Sequence, residues 1–128
     1  MNLKTPPMGW NSWNAFGSGN TEALTKAMAD AMVELELDKL GYQYVVLDDG
    51  CYKPVRENER IANEPTKFPS GFKALGDYIH EKGLKFGLWM DVESLGKLCP
   101  QFKEKPEWRA KNTLGEQTDR FIDFTNEE

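Results

Sequence analysis

Tyr42-Gln43-Tyr44-Val45-Val46-Leu47-Asp48-Asp49-Gly50 is the stretch on which the fold turns. From Tyr42 to Leu47 it is aromatic, β-branched and nearly all apolar, the composition of a strand covered on both faces in a parallel sheet. It then breaks abruptly into two carboxylates and a glycine, residues that favour turns.

Downstream the signature recurs. Leu84-Lys85-Phe86-Gly87-Leu88-Trp89-Met90 reads as a second such strand and again runs into acidic residues, Asp91 and Glu93. Residues 51 to 69 lie between the two, polar and punctuated by Pro54, Pro65 and Pro69, and read as a long functional loop. Ser70 then predicts the cap of a helix through Phe72, Leu75, Tyr78 and Ile79, closed by Gly83.

Upstream, Asn20 predicts an N-cap. Leu24, Ala27, Met28, Ala31, Leu35 and Leu40 follow at helical spacing until Gly41, which implies a helix of about five turns. Before it, the prolines in Thr5-Pro6-Pro7-Met8-Gly9-Trp10-Asn11-Ser12-Trp13 forbid a helix, and the apolar residues fit a short strand.

Strand, helix, strand, helix, strand is the alternation that builds a parallel α/β sheet. A closed (β/α)8 barrel takes about 250 residues, so any TIM-barrel reading of 128 residues is a partial one, amounting to the first three βα units plus the start of the next helix. Past the third strand, Pro100 to about Lys111 predicts a short helix and Arg120 to Phe124 a short extended piece. Thr125-Asn126-Glu127-Glu128 then resembles a cap with first-turn acids, announcing a further helix and hence a truncated sequence.

Composition removes several function classes. The formal net charge is -5, with both signs interspersed, so no basic stripe faces a nucleic acid. No apolar run approaches the roughly 20 residues of a membrane helix, and no leader is legible near Met1, so the chain as given reads as non-exported and without a membrane partner, its localisation cytoplasmic or unassigned. Cys51 and Cys99 belong to no metal-ligand spacing; no metal or cofactor is expected, and free thiols are favoured over a disulfide.

In parallel α/β folds ligands bind where the strands end. Those ends carry Trp13, the Asp48-Asp49 pair, and Trp89 with Asp91 and Glu93. Tryptophan offers a flat apolar face to the C–H face of a sugar ring while carboxylates accept its hydroxyl hydrogens, so a carbohydrate is the favoured ligand. The plain readings are that Asp-Asp-Gly is turn chemistry and the tryptophans are core. His80, on a helix away from the strand ends, reads as structural or solvated, and nothing in the sequence fixes a separation among Asp91, Glu93 and Asp123 that would name an acid and a base.

Four motifs, taken together, are similar to one family. They are Thr5 to Asn14 (Thr-Pro-Pro-Met-Gly-Trp-Asn-Ser-Trp-Asn), Tyr42 to Gly50, Phe68 to Leu75 (Phe-Pro-Ser-Gly-Phe-Lys-Ala-Leu) and His80 to Trp89 (His-Glu-Lys-Gly-Leu-Lys-Phe-Gly-Leu-Trp). In that order and spacing they resemble the α-galactosidases of glycoside hydrolase families 27 and 36. The resemblance implies that residues 1 to 128 are the N-terminal portion of a (β/α)8 catalytic domain, and that Trp13, Asp48, Asp49 and Trp89 line the pocket for a terminal galactose of an oligosaccharide or glycoside.

It also implies a retaining reaction, in which one aspartate forms a glycosyl-enzyme and another serves as acid and then base. The nucleophile is expected in a Lys-x-Asp strand, and no apolar Lys-x-Asp segment occurs here, so no catalytic residue is assigned within the chain. Cys51 stands where these enzymes often have tryptophan, and Gly17-Ser18 where many family 27 members have a cysteine. The competing expectation is a non-catalytic sugar-binding or self-associating module that covers its open sheet edges with another copy.

Overall fold

Pro6 and Pro7 deny the entering chain a helix, and it passes directly into β1 (Gly9–Asn11). The computed structural model describes residues 6–54, 57, 60–91 and 100–125, and these fall into two compact units. The first, drawn from 1–53 and 63–90, holds the parallel sheet. Its strands are β1, β2 (Tyr44–Leu47) and β3 (Lys85–Leu88), in spatial order β1-β2-β3. Gly9 is in register with Tyr44, and Tyr44 with Lys85.

A one-turn helix, α1 (Trp13–Phe16), and then α2 (Glu22–Glu34) connect β1 to β2; α3 (Gly71–Glu81) connects β2 to β3. Ala29 and Met32 of α2, Leu75 and Ile79 of α3, and Val45 and Leu47 of β2 form one buried core with Cys51, Phe68 and Leu84. The both-faces-covered reading of the strands needs correcting. Val45 and Leu47 are buried beneath the helices, whereas Tyr44 and Val46 alternate with them and are only half-buried.

The end of α2 differs from expectation by two turns. It stops at Glu34 because Glu36 turns left-handed at φ 57, letting Glu36 N donate to Val33 O at 3.0 Å and Leu37 N to Met32 O at 2.9 Å. These paired bonds form a Schellman cap, and Leu37 then packs on the core. Leu35 and Leu40, counted as part of the helix's apolar stripe, are 67% and 70% exposed. A left-handed L-residue costs about 1–2 kcal/mol. Glu36→Gly is therefore expected to raise the melting temperature by about 3 °C, net of the weak exposed pair with Lys39, as checked by thermal melts.

Both caps are rearranged. Thr21, not Asn20, accepts from Leu24 N at 3.3 Å, while the buried Asn20 donates to Thr25 Oγ1 at 2.9 Å. Ser70 stands at the start of α3 without a side-chain cap; its N–H goes instead to Glu22 Oε2 at 2.9 Å. Burial favours the neutral form of Glu22, but its hydrogen bonds from Lys26 and Ser70 outweigh that and hold the carboxyl below its ordinary range. Gly83 closes α3 as expected, at φ 78 and with Leu84 N bonded back to Ile79 O.

The second unit, drawn from 54–62 and 91–128, was only partly foreseen. The expected helix from Pro100 stops at α4 (Pro100–Glu104), because Pro106 has no N–H to continue it. Arg109 onward is a strand: β4 (Arg109–Lys111) pairs antiparallel with β5 (Gln117–Ile122). Asn112 Oδ1 accepts from Leu114 N and Glu116 N, and Gly115 takes φ 80, so the hairpin turn is built by its own residues. The helix start expected at 126–128, Glu93 and Cys99 lie outside the described residues. Among the described residues no helix is long and apolar enough to cross a membrane.

Candidate functional site

Parallel strands present all their C-terminal ends at one edge of the sheet, and there the first unit gathers two exposed tryptophans, Trp13 and Trp89, and the Asp48-Asp49 pair. The gathering starts with Asn11 and Ser12. Ser12 N donates to Val46 O at 3.1 Å, prolonging the ladder, and its fully buried Oγ accepts from Asp48 N at 2.9 Å. Asn11 bridges in both senses: Oδ1 accepts from Trp13 N at 2.8 Å, and Nδ2 donates to Asp48 Oδ2 at 2.9 Å. One side chain thus fixes the start of α1, which carries Trp13, relative to the first aspartate.

The acid pair is shaped from within. Asp48 Oδ1 accepts from Asp49 N at 2.8 Å and Asp49 Oδ1 from Gly50 N at 2.7 Å, so each carboxylate spends an oxygen on the turn. Asp48 is half-buried and Asp49 exposed, and Oδ2 of Asp49 takes no hydrogen bond among the described residues. At β3, Trp89 N donates to Leu47 O at 2.8 Å and Trp89 O accepts from the Tyr52 hydroxyl. The Tyr52 ring meets Phe72 edge-on at 5.7 Å.

All four residues singled out from the sequence, Trp13, Asp48, Asp49 and Trp89, therefore sit at the strand ends of the same unit. Both tryptophans are exposed, at 47% and 41%. Of the further acids, Asp91 pairs with Arg120 at 2.6 Å, and Asp123 accepts from Thr125 N and Oγ1, bonds that hold its carboxyl below the ordinary range. His80 is exposed on α3. Among the described residues no group of three candidate ligands could hold a metal ion.

Cys51 is a buried free thiol, and burial pushes it up to about 11. Burial likewise raises Tyr52, consistent with a phenol that stays protonated and donates. Asn11, Ser12 and Tyr52 were not anticipated. Asn and Ser at the end of a strand are turn formers that flag the first two; Tyr52 and Trp89 are 37 residues apart, and nothing local announces their bond.

Residues 5–106 match the profile of the family described as alpha galactosidase A. The chain belongs to the alpha-galactosidase A family. Alpha-galactosidase A of Cellvibrio japonicus is 49% identical over 89 residues, which is 70% of this chain and 22% of that protein. Among solved structures, alpha-galactosidase I of Mortierella vinacea superposes with a TM-score of 0.63 at 46% identity, over 66% of this chain and 21% of that one. The alpha-galactosidase of Saccharomyces cerevisiae with raffinose gives 0.63 at 33% identity, over 66% and 19%. The chain spans about a fifth of the length of the family relatives it matches.

Proposed function

We propose that these 128 residues supply the galactose-recognition part of a retaining α-galactosidase, forming the first three βα units of its (β/α)8 barrel, with nucleophile and acid/base outside them. The reading is carried by one observation, the Asp48-Asp49 pair at the central strand end with exposed tryptophans at the ends of the strands on either side. Aspartates accept the hydroxyl hydrogens of the sugar, and tryptophan covers its apolar face. Held this way, a galactose presents its anomeric carbon to carboxylates contributed elsewhere. The described acids support that division, since Asp91 and Asp123 are engaged by Arg120 and Thr125.

Titration of the chain with galactose, read by tryptophan fluorescence, is expected to give a saturable change that glucose, the C4 epimer, does not. An aryl α-galactoside is expected to be bound without release of the phenol. Sustained phenol release by the purified chain would place catalytic residues inside it and overturn the division.

A second reading, self-association, is favoured by the edge position of β1. Beside it lies an apolar recess of about 310 Å³, lined by Trp10, Met28, Ala31, Leu35 and Tyr42 among others. Sedimentation separates the two: a discrete dimer whose formation galactose leaves unchanged favours the module, a monomer that binds galactose favours the recognition part.

A further inference from the structure

The turn that carries the acid pair presses on a distant piece of backbone. Gly50 adopts φ 88, and a side chain there would meet Ser18 Cβ at 2.7 Å and Ser18 O at 2.9 Å. Two main-chain segments, one after α1 and one after β2, therefore touch with nothing between them. Their carbonyls converge on a single cation: Lys67 Nζ donates to Ser18 O at 2.7 Å and to Gly50 O at 3.1 Å. An ammonium shared by two carbonyl oxygens attracts both and so ties the two segments together.

Lys67 is itself held at its backbone. Its N donates to Glu64 Oε2 at 2.8 Å, its carbonyl accepts from Glu22 N at 2.8 Å, and the next residue, Phe68, is wholly buried. A lysine anchored on three sides has surrendered its backbone freedom to the fold, so only the side chain remains to be ordered for the clasp. The ammonium reaches 49 residues back in sequence to one loop and 17 to the other.

The geometry points to Lys67 as a positioning residue for sugar binding: it clamps the Asp48-Asp49-Gly50 turn to the Ser18 loop, and so sets where the two carboxylates stand relative to the segment that bears Trp13. It touches no sugar and acts through Gly50 and Ser18. The inference rests on the galactose reading above, and its test separates the two.

Lys67→Met keeps the length and the apolar stem but removes every donor; Lys67→Arg restores donors in a fork wide enough for two carbonyls. Lys73→Met serves as a control, since Lys73 is exposed on α3 and pairs with Asp77. In amide hydrogen exchange of the full chain, Lys67→Met is expected to speed the Asp49 and Gly50 amides about tenfold while leaving α2 and α3 unchanged. Galactose affinity is expected to fall at least about fivefold, with Lys67→Arg within about twofold of the parent and Lys73→Met unchanged.

Unaltered exchange in Lys67→Met, altered exchange with unaltered galactose affinity, or failure of Lys67→Arg to restore either quantity would each overturn the positioning role. If the parent chain binds no galactose, the functional reading fails on its own account, and the exchange comparison alone then decides whether Lys67 clamps the turn.

Discussion

Asp49→Asn is expected to lower galactose affinity about 10- to 100-fold while leaving the melting temperature within about 2 °C of the parent. The two effects separate because the two oxygens of Asp49 do different work. Oδ1 accepts from Gly50 N at 2.7 Å, and the amide oxygen of asparagine accepts that bond equally well, so the turn survives. Oδ2 takes no hydrogen bond among the described residues and belongs to an exposed residue, and asparagine replaces this charged acceptor with an NH2 donor. A hydrogen bond to a charged group contributes about 1.5–3 kcal/mol, which is the stated range of affinity. Isothermal titration with galactose beside a thermal melt checks both halves; an affinity within twofold of the parent would remove Asp49 from the site.

The largest expected effect on stability comes from Gly9→Ala. A Cβ at Gly9 would lie 2.1 Å from Tyr44 O and 2.6 Å from Tyr44 Cβ, and the carbonyl belongs to β2 at the very position with which Gly9 is in register. Strand β1 has only three residues, so it cannot yield at one and keep the others. Displacing it also strains the bonds from Gln43 N and Tyr44 N to Met8 O, at 2.9 and 3.2 Å, and the one from Ser12 N to Val46 O. The expected cost is about 3 kcal/mol, a fall in melting temperature of roughly 10 °C, with galactose binding lost in parallel because Asn11 belongs to the same strand and Ser12 directly follows it. Gly19→Ala provides the contrast, since nothing lies within 4 Å of a Cβ there. Circular dichroism melts of the two variants side by side make the comparison.

What was legible in the sequence follows from how far each signal reaches along the chain. The runs Tyr44 to Leu47 and Lys85 to Leu88 and the apolar spacing of Leu75 and Ile79 are local, and each emerged as the strand or helix its composition implied. That the acid pair and the two tryptophans stand at strand ends was legible because each lies just past a run with strand composition, and strand ends are where parallel sheets place ligands. The end of α2 was not, because a glutamate took the left-handed position that a glycine normally marks. The β4–β5 hairpin was missed because Arg109-Ala110-Lys111 has little strand propensity of its own and is extended by its partner strand. The bonds made by Ser70 and Lys67 were illegible for a third reason: their partners Glu22, Ser18 and Gly50 are between 17 and 49 residues away.

Cys51 turns the acid turn into a self-reporting element. It directly follows Gly50, is 2% exposed, and burial pushes its thiol up to about 11, so the thiol form dominates at neutral pH. A thiol reagent reaches it only when the turn swings away from Phe68 and its neighbours in the core. With Cys99 replaced by serine, the labelling rate of the remaining thiol would therefore count the openings of the acid turn directly, with no fluorophore or tag added to the chain.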